Sequence, residues 1–421
     1  MKHTLLKMTA AVALSLLPVL GAQATVRYVK VGGTGDGSSW EKAAGRLQAA
    51  INASSAGDEV WVAEGTYKPD SLIKKAKKTT NAIFLKDGVS LYGGFAGNET
   101  SKDARAMKNG GKAYEFVHET VLNADDDVAD SWVREIAGGT TYRYTWKQET
   151  ASNGTQQVIG TKGNSTHLFY STAVFAQPTT INGFTLRGAN ANVANAKPSG
   201  AAVYARGNVH VSQCRVLECS AYFSAESTGD INSYGGGVYV AGTADNKASV
   251  TDCYFARTYS HSSYGQGIGG ALYASAATVS NCEFKDCVAD DGGGGVAAFN
   301  SQVTGCTFTD CYASSGGAAY VGSGSTFEGN TVLGCRGLLG GGVNNAGGLL
   351  LHNVVANCYA DATDYGSDLG GRGGGIYNNA GKVVGCVVYN NESFDGAGIF
   401  VKGGQVVNCT VQRNSLRVKE N

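Results

Sequence analysis

From residue 200 onward, short apolar runs alternate with glycine clusters at a fixed period. The clusters read "GAAVY", "GGGVY", "GGALY", "GGGVA", "GGAAY", "GGGVN", "GGGIY" and "GAGIF". The apolar residue closing each turn is Val203, Val238, Leu272, Val296, Ala319, Val343, Ile376 or Ile399, at spacings of 35, 34, 24, 23, 24, 33 and 23 residues. The unit is therefore 23–24 residues, and three units carry loop insertions. Within a unit the apolar residues alternate with polar ones over short runs, which predicts strands rather than helices. "GGGIYNN" reads as a turn and a strand, and "KVVGCVVYNN" as a strand, a turn at Gly385-Cys386 and a third strand. One such circuit cannot bury its apolar face alone; stacking makes the core continuous. The pattern predicts an all-β solenoid of stacked parallel coils, with the glycines admitting positive φ and close backbone approach at a corner.

The two ends read differently. Residues 26–31 alternate like a strand, and Ser38 with Glu41 has the spacing of a helix-capping box. Trp40, Ala44, Leu47 and Ile51 would then share one face of a short helix covering the open end of the stack, where bare strand edges would otherwise recruit other chains. "VWVAEGTY" reads as the first coil strand, and residues 83–95 and 166–188 as further coils. "GGTGDG" lacks the Lys-Ser/Thr of a phosphate loop and the register of a calcium nonapeptide, so it reads as a loop. Between the coils, residues 126–163 break the period, and "TYRYTW" alternates like an exposed hairpin strand. The last coil, "VVNCTVQRNSLRVKEN", shows no capping helix; its polar residues, an end-to-end partner or a further domain would close it. Residues 1–24 have a lysine start, an apolar core and Ala22-Gln23-Ala24 as a cleavage site, the pattern of an export signal too short to span a bilayer. The expected organisation is 1–24 leader, 25–125 cap and first coils, 126–163 excursion as a loop or flap, and 164–421 main coils. The expected location is outside the cell: secreted, or at the cell surface or outer membrane.

All 11 cysteines fall in two columns of the repeat. Cys214, Cys253, Cys282, Cys306, Cys386 and Cys409 form the first, with Asn330 and Asn353 filling its gaps. Cys219, Cys287, Cys311, Cys335 and Cys358 form the second, joined by Thr258, Asn391 and Asn414. A zinc site needs ligands converging on a point, whereas these run in lines without histidine, so no metal is expected. Disulfides remain an alternative, because an exported chain permits them and the inter-strand distance of about 4.8 Å suits their Cα separation. The reading preferred is a column of small inward side chains, thiol or amide, free and buried.

Charge is balanced at 34 basic against 34 acidic residues, so no global field attracts nucleic acid, and nothing beyond the leader is apolar enough to span a membrane. The 61 glycines come with only 4 prolines and no period of three, which excludes collagen.

"GGGIY" followed by "FKDC", "FTDC", "VYNN" and "VQRN" is similar to the repeats of chlamydial polymorphic outer-membrane proteins. "DGSSW…LQAAI…GDEVWVAEGTY" and "LYGGFAGNET" resemble the opening of secreted right-handed parallel β-helix proteins of the pectin-lyase-like superfamily. The resemblance covers residues 25–125 and 165–421 and implies a right-handed parallel β-helix with a short N-terminal capping helix. It leaves function open among polysaccharide lyases, glycoside hydrolases, adhesins and autotransported passengers.

A lyase would need a base and a cation beside the uronate, calcium or arginine; a hydrolase would need carboxylates facing one cleft. The acid-rich candidates are Asp290 and Asp291, then Asp361, Asp364 and Asp368 with Arg372. Aspartate and glycine are also what surface turns use. No cofactor is expected, and calcium enters only if the chain is a lyase. The insertions at 220–234, 259–267 and 359–372 all precede the glycine turn, on one edge of a solenoid. They carry Tyr222, Tyr234, Tyr259, His261, Tyr264 and Tyr365 among serines and aspartates, a composition suited to sugar rings or protein surfaces. Tyrosines propping the loops on one another is the plainer account of the same residues. The favoured expectation is a binding or adhesin-type module contacting a polysaccharide or an extracellular protein; the alternative is a lyase or hydrolase acting on an acidic polysaccharide.

Overall fold

The computed structural model describes residues 24–75, 78–137, 143–150, 156–158, 163–192, 198–223, 232–262, 265–361 and 371–417. The leader expectation, Ala24 aside, falls outside this set, and the excursion falls only partly within it.

The described chain is almost entirely parallel β-sheet. Strand β1, Val26–Val29, pairs in parallel with β2, Glu59–Ala63, and each later coil adds to the ladder below it. One coil shows the plan. Val296–Phe299 and Gln302–Thr304 run in the first, 19-stranded sheet, and Thr307–Thr309 lies in a second sheet of 11 strands. Tyr312 then bridges Val288 and Arg336 on a narrower third face before the glycine turn returns the chain. Pairing between coils keeps the expected register: Val296 opposes Ala319, Val303 opposes Phe327, and Phe284 opposes Phe308. The interior is a continuous column of buried side chains, within which Phe255, Phe284 and Phe308 stack with centroids 4.8 and 4.7 Å apart.

The cysteine columns mark the two corners that flank the second sheet. The residue before each column position has positive φ, as at Asn281 (53°), Asp286 (54°), Gly305 (62°) and Asp310 (53°). A left-handed residue turns the strand sharply and leaves the next N–H aimed along the solenoid axis, where it must find a partner. The column side chain of the following coil supplies it. Cys306 N–H donates to Asn330 Oδ1 at 2.8 Å, Asn330 N–H to Asn353 Oδ1 at 2.9 Å, and Cys282 N–H to Cys306 Sγ at 3.5 Å. The thiol is a longer, weaker acceptor in the place of the amide. All eleven cysteines are free thiols, ten buried and Cys409, in the last coil, half-buried.

The N-terminal end is covered by helix α1, Leu47–Ala53, through buried Leu47, Ala50 and Ile51. This helix is shorter than the capping-box spacing suggested. Residues 33–44 instead lie back along β1, with Ala44 N–H bonded to Tyr28 O and Lys30 N–H to Ala44 O. Trp40 therefore sits outside the helix, packed with Tyr28 and Phe95, its indole donating to Glu99 O at 2.9 Å. Backbone pairing along β1 won over local helix propensity. Two further departures from the coil were not expected. Ser71–Lys75 and Lys78–Phe84 form an antiparallel hairpin. A loop through residues 97–118 crosses the second sheet, where Tyr114 stacks on Tyr254 at 5.4 Å and Lys112 pairs with Glu283 at 2.6 Å. The excursion contains the expected hairpin, Arg134–Ala137 against Arg143–Trp146.

Candidate functional site

Two groups of side chains stand out once the coils are stacked. The first is on the third face. Tyr222 and Tyr259 occupy neighbouring coils, in strands where Tyr222 opposes His261. The Tyr222 ring stacks on the His261 imidazole with centroids 4.3 Å apart and planes 21° apart. Tyr259 Oη donates to Asp290 Oδ1 at 3.0 Å and lies 3.1 Å from His261 Nδ1, and His261 and Asp290 are themselves paired. Four of the expected site residues thus converge. The tyrosines do not form an exposed edge, however: Tyr222 and Tyr259 are each only 1 % accessible. Trp146 and Val158 of the excursion pack over them together with Val288 and Tyr312, and Trp132 meets Trp146 edge-on at 5.3 Å. Trp132, Trp146 and Val158 of the excursion thus pack on the third face, and the two indoles cover the tyrosines expected to meet a ligand.

The other expected residues are dispersed. Asp291 accepts the Gly267 N–H at 2.7 Å, a turn-holding role. Asp361 is buried and accepts from Tyr359 Oη at 3.1 Å. Arg372 lies 3.7 Å from Asp395 and over the Phe400 ring at 5.3 Å. Asp290 and Asp361 hold equivalent places three coils apart on the third face, through the register Val288–Tyr312–Arg336–Tyr359. Stacking at about 4.8 Å per coil puts them roughly 14 Å apart. Tyr264, Tyr365, Asp364 and Asp368 lie outside the described residues. Among the described residues no group of three or more His, Cys, Asp or Glu is placed to hold a metal ion.

The second group runs down the outside of the first sheet. The position after each apolar anchor points outward, and these positions oppose one another coil by coil: Tyr204, Tyr239, Tyr273, Ala297, Tyr320, Asn344, Tyr377 and Phe400. Tyr170 extends the row upward. Tyr204 and Tyr239 are stacked at 4.8 Å and 11°, and Tyr239 and Tyr273 at 5.2 Å and 4°. Where Ala297 interrupts the row, Phe299 fills in, 5.5 Å from Tyr273 and 5.7 Å from Tyr320. Tyr234, expected on the insertion edge, belongs here: its ring is 4.8 Å from Tyr273 and its hydroxyl accepts from Asn232 Nδ2 at 2.7 Å. The signal for this row was in the repeat itself, as the aromatic letter closing "GAAVY", "GGGVY", "GGALY", "GGAAY", "GGGIY" and "GAGIF".

Comparison with known proteins bears on the handedness of the coil. The family described as "Right handed beta helix region" matches residues 236–416. The fold is a right-handed parallel β-helix. Solved structures are similar only at low identity and low TM-score. Pectate lyase Pel9A is 13 % identical, with a TM-score of 0.37, over 94 % of this chain and 79 % of that one. A rhamnogalacturonan lyase is 13 % identical, with a TM-score of 0.38, over 94 % and 90 %. PfbA, a surface adhesin of Streptococcus pneumoniae, is 12 % identical, with a TM-score of 0.37, over 88 % of each chain. A search of curated protein sequences returns no match. No helix among the described residues is long and apolar enough to cross a membrane.

Proposed function

We propose that this β-helix is an exported binding module, secreted or held at the cell surface, that contacts a glycan or an extracellular protein along its outer face. The observation that carries this reading is the dispersal of the candidate carboxylates among the described residues. A glycoside hydrolase places its two acids about 5–5.5 Å apart for retention or about 6.5–9.5 Å for inversion. Asp290 and Asp361 are roughly 14 Å apart by coil stacking. Asp291 is held by the Gly267 N–H. Export is supported by the lysine, apolar core and small-residue pattern of residues 1–24.

The competing reading is a polysaccharide lyase or hydrolase acting on an acidic chain. One arrangement favours it: His261 is paired with Asp290, the way a carboxylate orients an imidazole base. The excursion packed over the adjoining tyrosines and the distance of Arg372 from this coil weigh against it. The test is incubation with polygalacturonate and other uronate polymers, following ultraviolet absorbance of unsaturated ends and release of reducing sugar. A screen of immobilised glycans and matrix proteins runs alongside. The expected result is retention on the screen without product. Product formation abolished by His261→Ala or Arg372→Ala would establish the enzyme instead.

A further inference from the structure

The outer aromatic row differs from the tyrosines whose phenol is spent on the protein. Tyr67 donates to Ala63 O at 3.0 Å, Tyr259 to Asp290 at 3.0 Å and Tyr359 to Asp361 at 3.1 Å. In the row, Tyr170, Tyr204, Tyr239 and Tyr273 have no hydrogen-bond partner among the described residues; only burial and neighbouring charges act on them. None of these four hydroxyls is enclosed as a buried unpaired group. From Tyr204 to Tyr273 the rings lie face to face, so their faces are used up on one another. Tyr170, Tyr239 and Tyr273 are half-buried and Tyr204 is 5 % accessible, so what the row offers to solvent is a narrow line of ring edges and hydroxyls.

We propose that this row is the contact surface for a neutral linear polysaccharide lying along the solenoid axis, with successive sugar rings in step with successive coils. The inference rests on the binding-module reading and names its ligand class. Three features point to it. The repeat along the row, 4.8 and 5.2 Å between ring centroids, is close to the length of one pyranose in an extended chain, so contacts recur without slipping out of phase. The hydroxyls are donors at neutral pH: burial pushes Tyr204 and Tyr273 up to about 12. A sugar hydroxyl accepts and donates, and so complements a phenol at each step. Finally, the column holds Tyr, Phe, Ala and Asn and no charged residue from Tyr170 to Phe400. Arg206 acts on Tyr204 and Tyr239, and Arg372 lies over Phe400, but these two cations stand at separate coils. A uronate chain would bring a carboxylate to every coil and meet no matching line of cations.

The experiment is affinity gel electrophoresis of the full chain in gels containing mixed-linkage β-glucan, arabinoxylan, galactomannan or polygalacturonate, with dissociation constants from the retardation. The variant is the triple Tyr204→Phe, Tyr239→Phe, Tyr273→Phe, which keeps the rings and their stacking and removes only the hydroxyls. Its thermal melt is measured in parallel. The expected result is retardation by at least one neutral polymer, weakened roughly tenfold or more in the triple variant while the melt stays put. Failure of every neutral polymer to retard the protein, or equal retardation of the triple variant, overturns the inference. Retardation by polygalacturonate alone, or capture by a matrix protein alone, also overturns it but leaves the binding-module reading standing. Release of sugar products strikes at that underlying reading instead.

Discussion

The glycine column offers the most direct test of the stacked-coil architecture. Gly374 is the middle glycine of "GRGGGIY" in a late coil. A Cβ built there would lie 2.4 Å from Ala397 O and 2.5 Å from Glu392 O, both backbone atoms of the next coil. Gly294 and Gly317 stand in the same relation to their own next coils, at 2.3 and 2.2 Å from Gly317 O and Gly341 O, so the constraint belongs to the repeat. Neither carbonyl can withdraw cheaply. Ala397 O accepts from Gly375 N–H at 3.1 Å, and the segment around Glu392 is tied to the coil above through its own N–H to Cys358 O at 2.9 Å. Gly374→Val therefore costs overpacking of about 1–3 kcal/mol plus about 1 kcal/mol for each ladder bond that opens, roughly 3 kcal/mol or more in all. In a stack where each coil contacts only its neighbours, that cost unzips the nearer end first. Thermal unfolding should show a transition lowered by about 6–12 °C, with early loss of amide protection confined to residues following 371. Lys382→Ala, on an exposed side chain of the same coil, should melt as wild type. Equal melts for the two variants, or protection lost uniformly along the chain, would refute the architecture of close coil-to-coil contact.

Other outcomes follow from the columns and the excursion. Thiol titration of the native protein should find Cys409 reactive and the ten buried cysteines silent until denaturant is added; several fast thiols would contradict the inward columns. Cys306→Asn should be tolerated, since Asn330 already holds the next place in that column, whereas Cys306→Leu should lower the melting temperature by overpacking. Asp130, within the excursion, has its carboxyl raised from 3.8 to about 6 by burial first and then by the Asp125 charge. Its folded pKa lies above its unfolded one, so its contribution to stability is present below about 3.8 and lost as pH rises through about 6. Asp130→Asn should therefore gain stability relative to wild type between those values, read from paired melts across pH; a difference independent of pH would reject it. Asp290→Ala leaves Tyr259 and His261 without their carboxylate and should cost about 1–3 kcal/mol in denaturant unfolding.

What could be read from the chain was whatever repeats. A residue one coil on occupies the same place in the cross-section, so the 23–24-residue period fixes the strands, the corners and the two cysteine columns together. The same period also carries the outer aromatic row, although aromatic residues are more conspicuous by composition in the insertions. In the insertions Tyr222 and Tyr259 are buried for a reason that repetition cannot encode. They are covered by Trp146, more than 70 residues earlier in the chain, in a segment with no repeat of its own. Such packing leaves no periodic trace. The helix boundary failed likewise: Ser38 and Glu41 satisfy a local rule, yet the pairing of Ala44 and Lys30 along β1 decides the conformation there. Local rules and composition gave way wherever a distant segment docked, and periodic position held wherever coil met coil. It follows that the side chains best placed to meet a repeating ligand are those the repeat itself aligns: Tyr204, Tyr239 and Tyr273 rather than Tyr222 and Tyr259.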